Sequence, residues 1–324
     1  MKNGKTRVTG AFVFGCVALG LAGGCAQTGT TTADGSAKME ALGPYAGLKH
    51  AIGCVDFENQ AGWSGRWQLG NNLSIMLESA LFDTKRFVIV EREKLKHVIA
   101  EQDLVASGRA AQAKDVAKTG LIRPARYLAT GAVTSVQEGA RGGSGGIRVG
   151  GISVGGGGSR ASITIIAKLI DTTTSEVVAQ KRIVGRAGRV GMRVGLSHGP
   201  VSTHVGGFQK TPIGDAAQDC LNQAAIFFAK TMENMPFEGA VVTVAGDQVI
   251  INRGSDYGIG PGKEFVMRQE GELLIDPSTG AVLGKADGKV LGRLKVTRVQ
   301  PNLAYCQVLE GEKNPPPGTV IADQ

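Results

Sequence analysis

The sequence predicts an α+β fold: a small α/β domain with two inserted transmembrane β-hairpins, followed by an all-β domain. Three observations support this prediction. Two segments, at about residues 130–170 and 177–212, alternate apolar and polar side chains with a period of two, which is typical of strands with one apolar and one wet face. Segments with helical periodicity flank them within residues 48–234. Residues 239–324 hold only short apolar runs between Gly, Asp and Pro turns.

Composition excludes several classes of function. Gly 49 in 324 residues is about twice the usual share, and aromatic residues are only 5%. The formal net charge is +8, but the basic residues near the hairpins lack stacking aromatics, so we expect no nucleic-acid partner. The spacing of the four histidines fits no zinc signature, and no phosphate loop or catalytic triad stands out. We therefore expect no metal, no cofactor and no catalytic residue, so the protein is not expected to be an enzyme.

The first 24 residues are typical of a secretory signal peptide. A basic start precedes an apolar run at 11–22, which is too short to span a membrane as a helix. The motif Leu21-Ala22-Gly23-Gly24-Cys25 resembles a bacterial lipoprotein cleavage site, which implies that Cys25 is acylated and anchored in lipid. Ala26 in place of aspartate implies sorting to the outer membrane. Ordinary secretion with Cys25 as an unmodified thiol is the alternative.

Residues 25–47, rich in Thr, Ala and Gly, are expected to form a lipid-anchored tether. The α/β domain at 48–234 follows, because strand-like and helix-like periodicities alternate along it. The expected elements are a strand at 51–57, a helix over Leu69–Leu81, a strand at 86–91, a helix with Leu95, Val98 and Ile99 inward, an Ala-rich helix between Gly108 and Gly120, a strand at 127–133 and a helix at 215–234.

The two hairpins supply the candidate pore residues. Polar residues of the alternating segments are expected to face water, and the apolar residues between them are expected to face lipid. The Gly150-Gly151 pair shifts the alternation, as a β-bulge would. The pore-lining candidates are Ser162, Thr164, Lys168, Arg189, Arg193, Ser202 and His204, and the lipid-facing candidates are Ile163, Ile165, Leu169, Val190, Met192, Val194 and Leu196.

Two hairpins contain too few strands to close a barrel alone. Because every backbone group in lipid must be paired, the chain is expected to pool its strands with copies of itself. A homo-oligomer embedded in outer-membrane lipid is therefore the expected assembly.

Three short motifs carry a resemblance to a known family. Val88–Glu93 with Leu95 and Glu101-Gln102, the stretch Tyr127–Gly131, and the turn Asp171–Glu176 resemble the curli production assembly/transport lipoprotein family (CsgG/HfaB-like). The resemblance implies an oligomeric outer-membrane pore that exports or anchors protein subunits of surface fibres, with an α/β vestibule in the periplasm.

The loop after the first strand departs from that family. In the family, this loop narrows the channel with a tyrosine, an asparagine and a phenylalanine, whereas here the loop is shorter and lacks that trio. Asn59, Trp63 and Trp67 are the nearest substitutes for a constriction loop. Packing of both tryptophans against a neighbouring protomer is the alternative.

Residues 239–324 have no counterpart in the curli pore. The run Val249–Gly254, Gly260–Lys263 and the segment Asp276–Gly284 resemble the C-terminal domain of flagellar assembly protein T, which implies a small SH3-like β-barrel in the periplasm. The expected strands lie at 241–244, 248–252, 263–268, 290–299, 304–309 and 319–322.

Two functions remain open from the sequence. The first is an outer-membrane lipoprotein that forms an oligomeric, nucleotide-independent pore with its domains in the periplasm. The second is a periplasmic lipoprotein without a pore, which binds cell wall or a flagellar or envelope partner through its C-terminal domain. In both, Cys54, Cys220 and Cys306 lie in apolar elements and are expected to be buried free thiols.

Overall fold

The computed structural model describes residues 39, 42–65, 68–111, 116–139, 146–149, 152–194, 211–280 and 282–323. The predicted signal peptide at 1–24, Cys25 and most of the tether lie outside these ranges. Within them, no helix combines the length and the hydropathy of a membrane span.

In its described residues from His50 onward, the first domain is a mixed sheet with three helices. Its sheet runs in the order β2-β1-β3-β5-β6, with β4 beside β5 on the same edge as β3. Strands β2 and β3 are parallel to β1, and β5 is antiparallel to its neighbours β3, β4 and β6. The elements are β1 (His50–Asn59), α1 (Leu69–Asp83), β2 (Phe87–Ile89), α2 (Leu95–Ala106), β3 (Tyr127–Glu138), β4 (Gly146–Val149), β5 (Ile152–Asp171), β6 (Val177–Val194) and α3 (Pro212–Met232).

Helices α1 and α3 cover one face of this sheet. Leu77 of α1 and Leu221 and Phe228 of α3 are fully buried, and they share a core with Ile165 of β5. Helix α3 is well initiated, because the Thr211 hydroxyl accepts a hydrogen bond from the Gly214 N–H at 3.0 Å and Pro212 occupies the first turn. The apolar side of α3 packs against β5 and β6.

This core overturns one expectation from the sequence. Ile163, Ile165 and Leu169 were expected to face lipid, but all three are at most 1% exposed beneath the helices. Period-two alternation reports that one strand face is apolar, and it cannot tell a helix-covered face from a lipid-covered one.

One helix expectation was also wrong. Helix α2 has no buried residue, and Val98 and Ile99, expected to point inward, are 41% and 42% exposed. The centre of the Ala-rich helix expected between Gly108 and Gly120, residues 112–115, lies outside the described residues, so that helix stays a prediction.

The second domain is a closed six-stranded β-barrel in the order β12-β13-β8-β7-β14-β9. Each of the six runs expected from the sequence overlaps one of its strands, whereas the SH3-like assignment stays a prediction. The strands are β7 (Glu238–Ala245), β8 (Gln248–Ile251), β9 (Glu264–Arg268), β12 (Val290–Val299), β13 (Ala304–Gly311) and β14 (Val320–Ala322), with a separate hairpin of β10 (Leu273–Ile275) and β11 (Val282–Lys285).

The two domains share a packed boundary. Ala51 of β1 and Val88 of β2 belong to the same hydrophobic core as Phe237 and Phe265 of the barrel. The His50 and Phe237 rings lie 6.2 Å apart across this boundary.

The cysteine prediction is confirmed. Cys54, Cys220 and Cys306 are free and buried. Burial raises the pKa of the Cys220 and Cys306 thiols to about 12, so both are protonated at neutral pH.

Candidate functional site

Strands β5 and β6 form a ribbon that is longer than the helices that cover it. They pair from Val154↔Val194 to Ile170↔Val177, and Ala161 of β5 lies opposite Ala187 of β6. Beyond this alanine pair the ladder continues, and we call residues 146–149, 152–160 and 188–194 the distal ribbon. Ala161 and Ala187 are both buried, whereas Arg160 at the start of the distal ribbon is exposed.

The apolar stripe of the ribbon changes face at this point. Before the distal ribbon, the odd positions are buried from Ala161 to Leu169 on β5 and from Ile183 to Ala187 on β6, where α3 packs on the strands. The register continues without a shift from Leu169↔Ala179 to Val154↔Val194, so the even positions stay on the face opposite α3 along this whole length. In the distal ribbon the apolar residues occupy those even positions: Val154, Val190, Met192 and Val194.

Strand β4 extends the same pattern. Ile147 pairs with Val154, and Val149 pairs with Ile152, so the four apolar positions share one face of the ladder. Val149 and Ile152 pair directly, which means that the chain reverses direction between them. The alternation therefore changes where β4 gives way to β5, and the bulge expected at Gly150-Gly151 falls on residues outside the described ranges.

The register separates the predicted pore-lining residues into two groups. Ser162, Thr164 and Lys168 occupy even positions of β5, whereas Arg189 and Arg193 occupy odd positions of β6, on the opposite face. A flat ribbon cannot present both groups to one channel wall. Thr164 is also buried, while Ser162 and Lys168 are half-buried. Ser202 and His204 lie outside the described residues, and a lining role for any of the seven stays a prediction.

The candidate constriction loop is held together by Asn59. Its side-chain N–H donates to the Trp63 carbonyl at 2.8 Å, and its Oδ1 accepts from the Trp63 N–H at 3.2 Å. Trp63 is half-buried against the core of its own domain. Asn59 and Trp63 therefore close a local turn, and packing of Trp63 on a neighbouring protomer is not needed to bury its ring. Trp67 lies outside the described residues.

The motif Val88–Glu93, which begins within β2, holds the loop that follows this strand in place. The sequence did not reveal this role. The Glu93 carboxylate accepts hydrogen bonds from Asn71 and, at 2.8 Å, from the Ser74 hydroxyl of α1. Glu91 accepts from the Lys94 N–H at 2.8 Å, and Arg92 donates to the Arg123 carbonyl at 2.8 Å. These bonds tie three segments together, so the motif is structural.

The carboxylates near this loop do not form a metal centre. Burial, followed by the charges of Glu91 and Glu93, raises the pKa of Glu78. In the part of the chain that the structure describes, no group of His, Cys, Asp and Glu could hold a metal ion.

Comparison with known proteins gives one family match. Residues 35–253 match the family described as "Curli production assembly/transport component CsgG". No curated protein sequence matches the chain.

Similarity to solved structures is low in score and in identity. The chain is similar to the hypothetical protein CT253 from Chlamydia trachomatis, with a TM-score of 0.33 and 12% identity over 56% of this chain and 97% of that chain. It is also similar to a PelC dodecamer from Paraburkholderia phytofirmans (TM-score 0.26, 14% identity, 56% of this chain and 90% of that chain). A third is lipoprotein GNA1162 from Neisseria meningitidis (TM-score 0.23, 12% identity, 43% of this chain and 83% of that chain). Scores this low say nothing about function.

Proposed function

The chain belongs to the curli production assembly/transport component CsgG family, and on that premise we propose that it is an outer-membrane lipoprotein whose copies form a nucleotide-independent pore. The resemblance found in the sequence is thereby confirmed at the level of the family. The proposed pore secretes or anchors protein subunits at the cell surface, and Cys25 is the proposed site of its lipid anchor.

The observation that carries this proposal is the change of face in the ribbon. A buried sheet needs its apolar stripe toward the helices, and a membrane barrel needs its apolar stripe toward lipid. The ribbon meets the first requirement up to Ala187 and places Val190, Met192 and Val194 on the opposite face beyond it. A ribbon that stayed in water would have no reason to rebuild an apolar stripe on the face opposite α3.

The face opposite the apolar stripe of the distal ribbon supports an aqueous lumen. By register, Arg148 of β4, Ser153 of β5 and Arg189 and Arg193 of β6 share that face. Arginine is costly toward lipid but not toward a water-filled channel. We therefore assign the proposed pore wall of the distal ribbon to this face, which leaves Ser162, Thr164 and Lys168 below the membrane.

Within the described residues, the ribbon has an unpaired edge on each side, which favours assembly with copies. Strand β6 pairs with β5 alone, and β4 also pairs with β5 alone, while the rest of the second predicted hairpin, residues 195–210, lies outside the described ranges. Strand edges exposed to lipid would leave backbone N–H and C=O groups unpaired, at several kcal/mol each in hydrocarbon. Pairing of β6 of one copy with the β3–β4 edge of the next would satisfy both edges.

The proposed transport needs no chemistry from the chain. No phosphate-binding loop is present in the sequence, so we propose that subunits cross by diffusion and that folding outside the cell prevents their return. We accordingly propose no enzymatic activity and no cofactor.

Planar-bilayer recordings test the proposal. Full-length protein purified in detergent is expected to give large conductance steps of uniform size, because only a closed ring of fixed subunit number yields them. Protein that binds the bilayer without conductance would overturn the pore and would favour the alternative, a periplasmic lipoprotein that binds cell wall or an envelope partner through its barrel.

A further inference from the structure

A groove of about 790 Å³ lies between the α/β domain and the barrel. Its walls come from the start of β1, from residues 120–127 and from the chain around Arg253 and Tyr257. The adjacent apolar residues Leu121 and Ile122 line the edge of the groove, and Leu121 is 74% exposed.

The lining of the groove holds more cations than carboxylates. Its lining includes Lys49, Arg123, Arg126 and Arg253 but a single carboxylate, that of Glu238. Arg123 is paired with Asp256 at 3.3 Å, and Arg126 is paired with Asp171 at 3.0 Å.

Arg253 differs from these two arginines. Its guanidinium lies 4.7 Å from the Tyr257 ring centroid, on a ring that Arg123 also approaches at 5.3 Å. The Arg253 guanidinium donates a hydrogen bond to the Asn252 carbonyl at 3.0 Å, and within the described part of the chain it forms no salt bridge. Burial lowers the pKa of Arg253, and the charge of Arg123 lowers it further. A partly buried cation next to another cation is a favourable partner for an external anion.

The β10–β11 hairpin is a second unexplained surface. It projects from the barrel between β9 and β12, and among the described elements it packs substantially against none beyond its own two strands. Leu273, Ile275 and Leu283 are 55%, 57% and 70% exposed. Leu273, Leu274 and Ile275 are consecutive and all exposed, so both faces of the hairpin are apolar. A hairpin with apolar residues on both faces is best buried in a groove, where protein surface contacts both faces.

The hairpin is also acidic. Residues 269–289 contain four carboxylates, Glu270, Glu272, Asp276 and Asp287, against the two lysines Lys285 and Lys289. Lys285 is already paired with Glu270 at 2.7 Å. An acidic excess opposes binding to an anionic lipid surface and favours a basic protein groove.

We propose that the groove between the two domains receives the β10–β11 hairpin of a second copy of this chain. The carboxylates of the hairpin, Glu272 foremost, lie against Arg253 and Lys49, and Leu283 on its strand β11 covers Leu121 and Ile122. Both surfaces occur once per chain, so the contact is head-to-tail and can repeat around a ring. The inference deepens the proposed function by naming a contact between copies, and it rests on that function only for closure of the ring.

Cysteine cross-linking in the full-length protein tests the contact. A variant with Leu121→Cys and Leu283→Cys is expected to give a ladder of disulfide-linked subunits on a denaturing gel without reductant. The matched control pairs Leu283→Cys with Phe82→Cys, because Phe82 is 70% exposed on α1. A ladder of equal strength in the control, a disulfide within one chain, or no cross-link at all would overturn the proposal.

Charge reversal supplies a second test that does not depend on the thiols. Arg253→Glu, assembled with the cross-linking pair, is expected to lower the yield of linked subunits about tenfold, and Glu272→Arg added to it is expected to restore the yield. A restored yield of linked subunits excludes simple misfolding of the Arg253 variant. An unchanged yield in both variants would contradict the proposed contact. Bilayer recordings on the same samples separate this proposal from the proposed pore. Cross-links without conductance would support the contact and contradict the pore. Conductance without cross-links would support the pore and contradict the contact.

Discussion

Gly185 of β6 lies directly against Ala216 of α3, so closely that a Cβ atom on Gly185 would sit 2.0 Å from the Ala216 carbonyl oxygen. The backbone of α3 therefore rests on the ribbon at a point where only glycine fits. This contact lies just before the ribbon changes its apolar face at Ala187, so it sets the end of the helix-covered part of the sheet.

Replacing Gly185 is expected to destabilise the α/β domain. Gly185→Ala would force α3 away from β6 and lower the free energy of unfolding by about 1–3 kcal/mol, the usual cost of overpacking. Gly188→Ala is the matched control, because a Cβ atom there would meet only the Arg160 side chain at 3.9 Å. Urea unfolding of both variants measures the difference, and equal stability would show that α3 does not rest on Gly185.

The N-terminal cap of α3 is a second, independent test of this helix. Thr211→Ala removes the hydroxyl that accepts from the Gly214 N–H and is expected to cost about 1 kcal/mol. Thr211→Ser keeps an acceptor at the same place and is expected to stay close to the parent. Thermal unfolding followed by circular dichroism compares the two. Loss of equal size in both variants would mean that the methyl group, not the hydrogen bond, matters.

Neighbouring residues of β6 are expected to respond in opposite ways if the distal ribbon spans a membrane. Met192 occupies an even, lipid-side position, so Met192→Arg would cost roughly 2–4 kcal/mol per strand near the bilayer centre and block assembly. Arg193→Leu, on the lumen side, is expected to leave assembly intact and to reduce the preference of the pore for anions. Native gel electrophoresis and reversal potentials in bilayers measure these outcomes. Equal tolerance of both substitutions would contradict a membrane ribbon.

The buried thiols predict how stability depends on pH. Burial raises the pKa of Cys306 in the folded barrel from its ordinary value of 9.0 to about 12. Between these values the thiol ionises only in the unfolded chain, so the folded state holds one more proton and stability falls as pH rises. The expected slope is roughly 1 kcal/mol per pH unit per thiol.

Cys306→Ala isolates that contribution. The variant loses some stability at every pH because of the cavity, but its decline above pH 9 is expected to be shallower than that of the parent. Urea unfolding between pH 8 and pH 10.5 gives both slopes. Parallel slopes would show that Cys306 titrates alike in the folded and unfolded chains.

Local patterns explain why much of the fold was predictable. The six strands of the barrel were readable because short apolar runs between Gly, Asp and Pro turns leave few alternatives to strands. Cys54, Cys220 and Cys306 were recognisable as buried because each lies in an apolar run. The family, likewise, was recognisable from the short motif at Val88–Glu93, although its role as a structural tie between α1 and the loop after β2 was not.

The sequence by itself determined that the ribbon alternates, where its strands lie and which residue types share a face within one strand. Only the tertiary structure decided which face of the ribbon packs against α3 and which face lies opposite it. An apolar stripe looks the same whether a helix or lipid will cover it, and the answer depends on the contact of Gly185 with α3 and on the unbroken pairing of β5 with β6. That pairing links two stripes that are far apart in sequence, and it places Ile163 and Met192 on opposite faces of one sheet because the side-chain period of a strand is two.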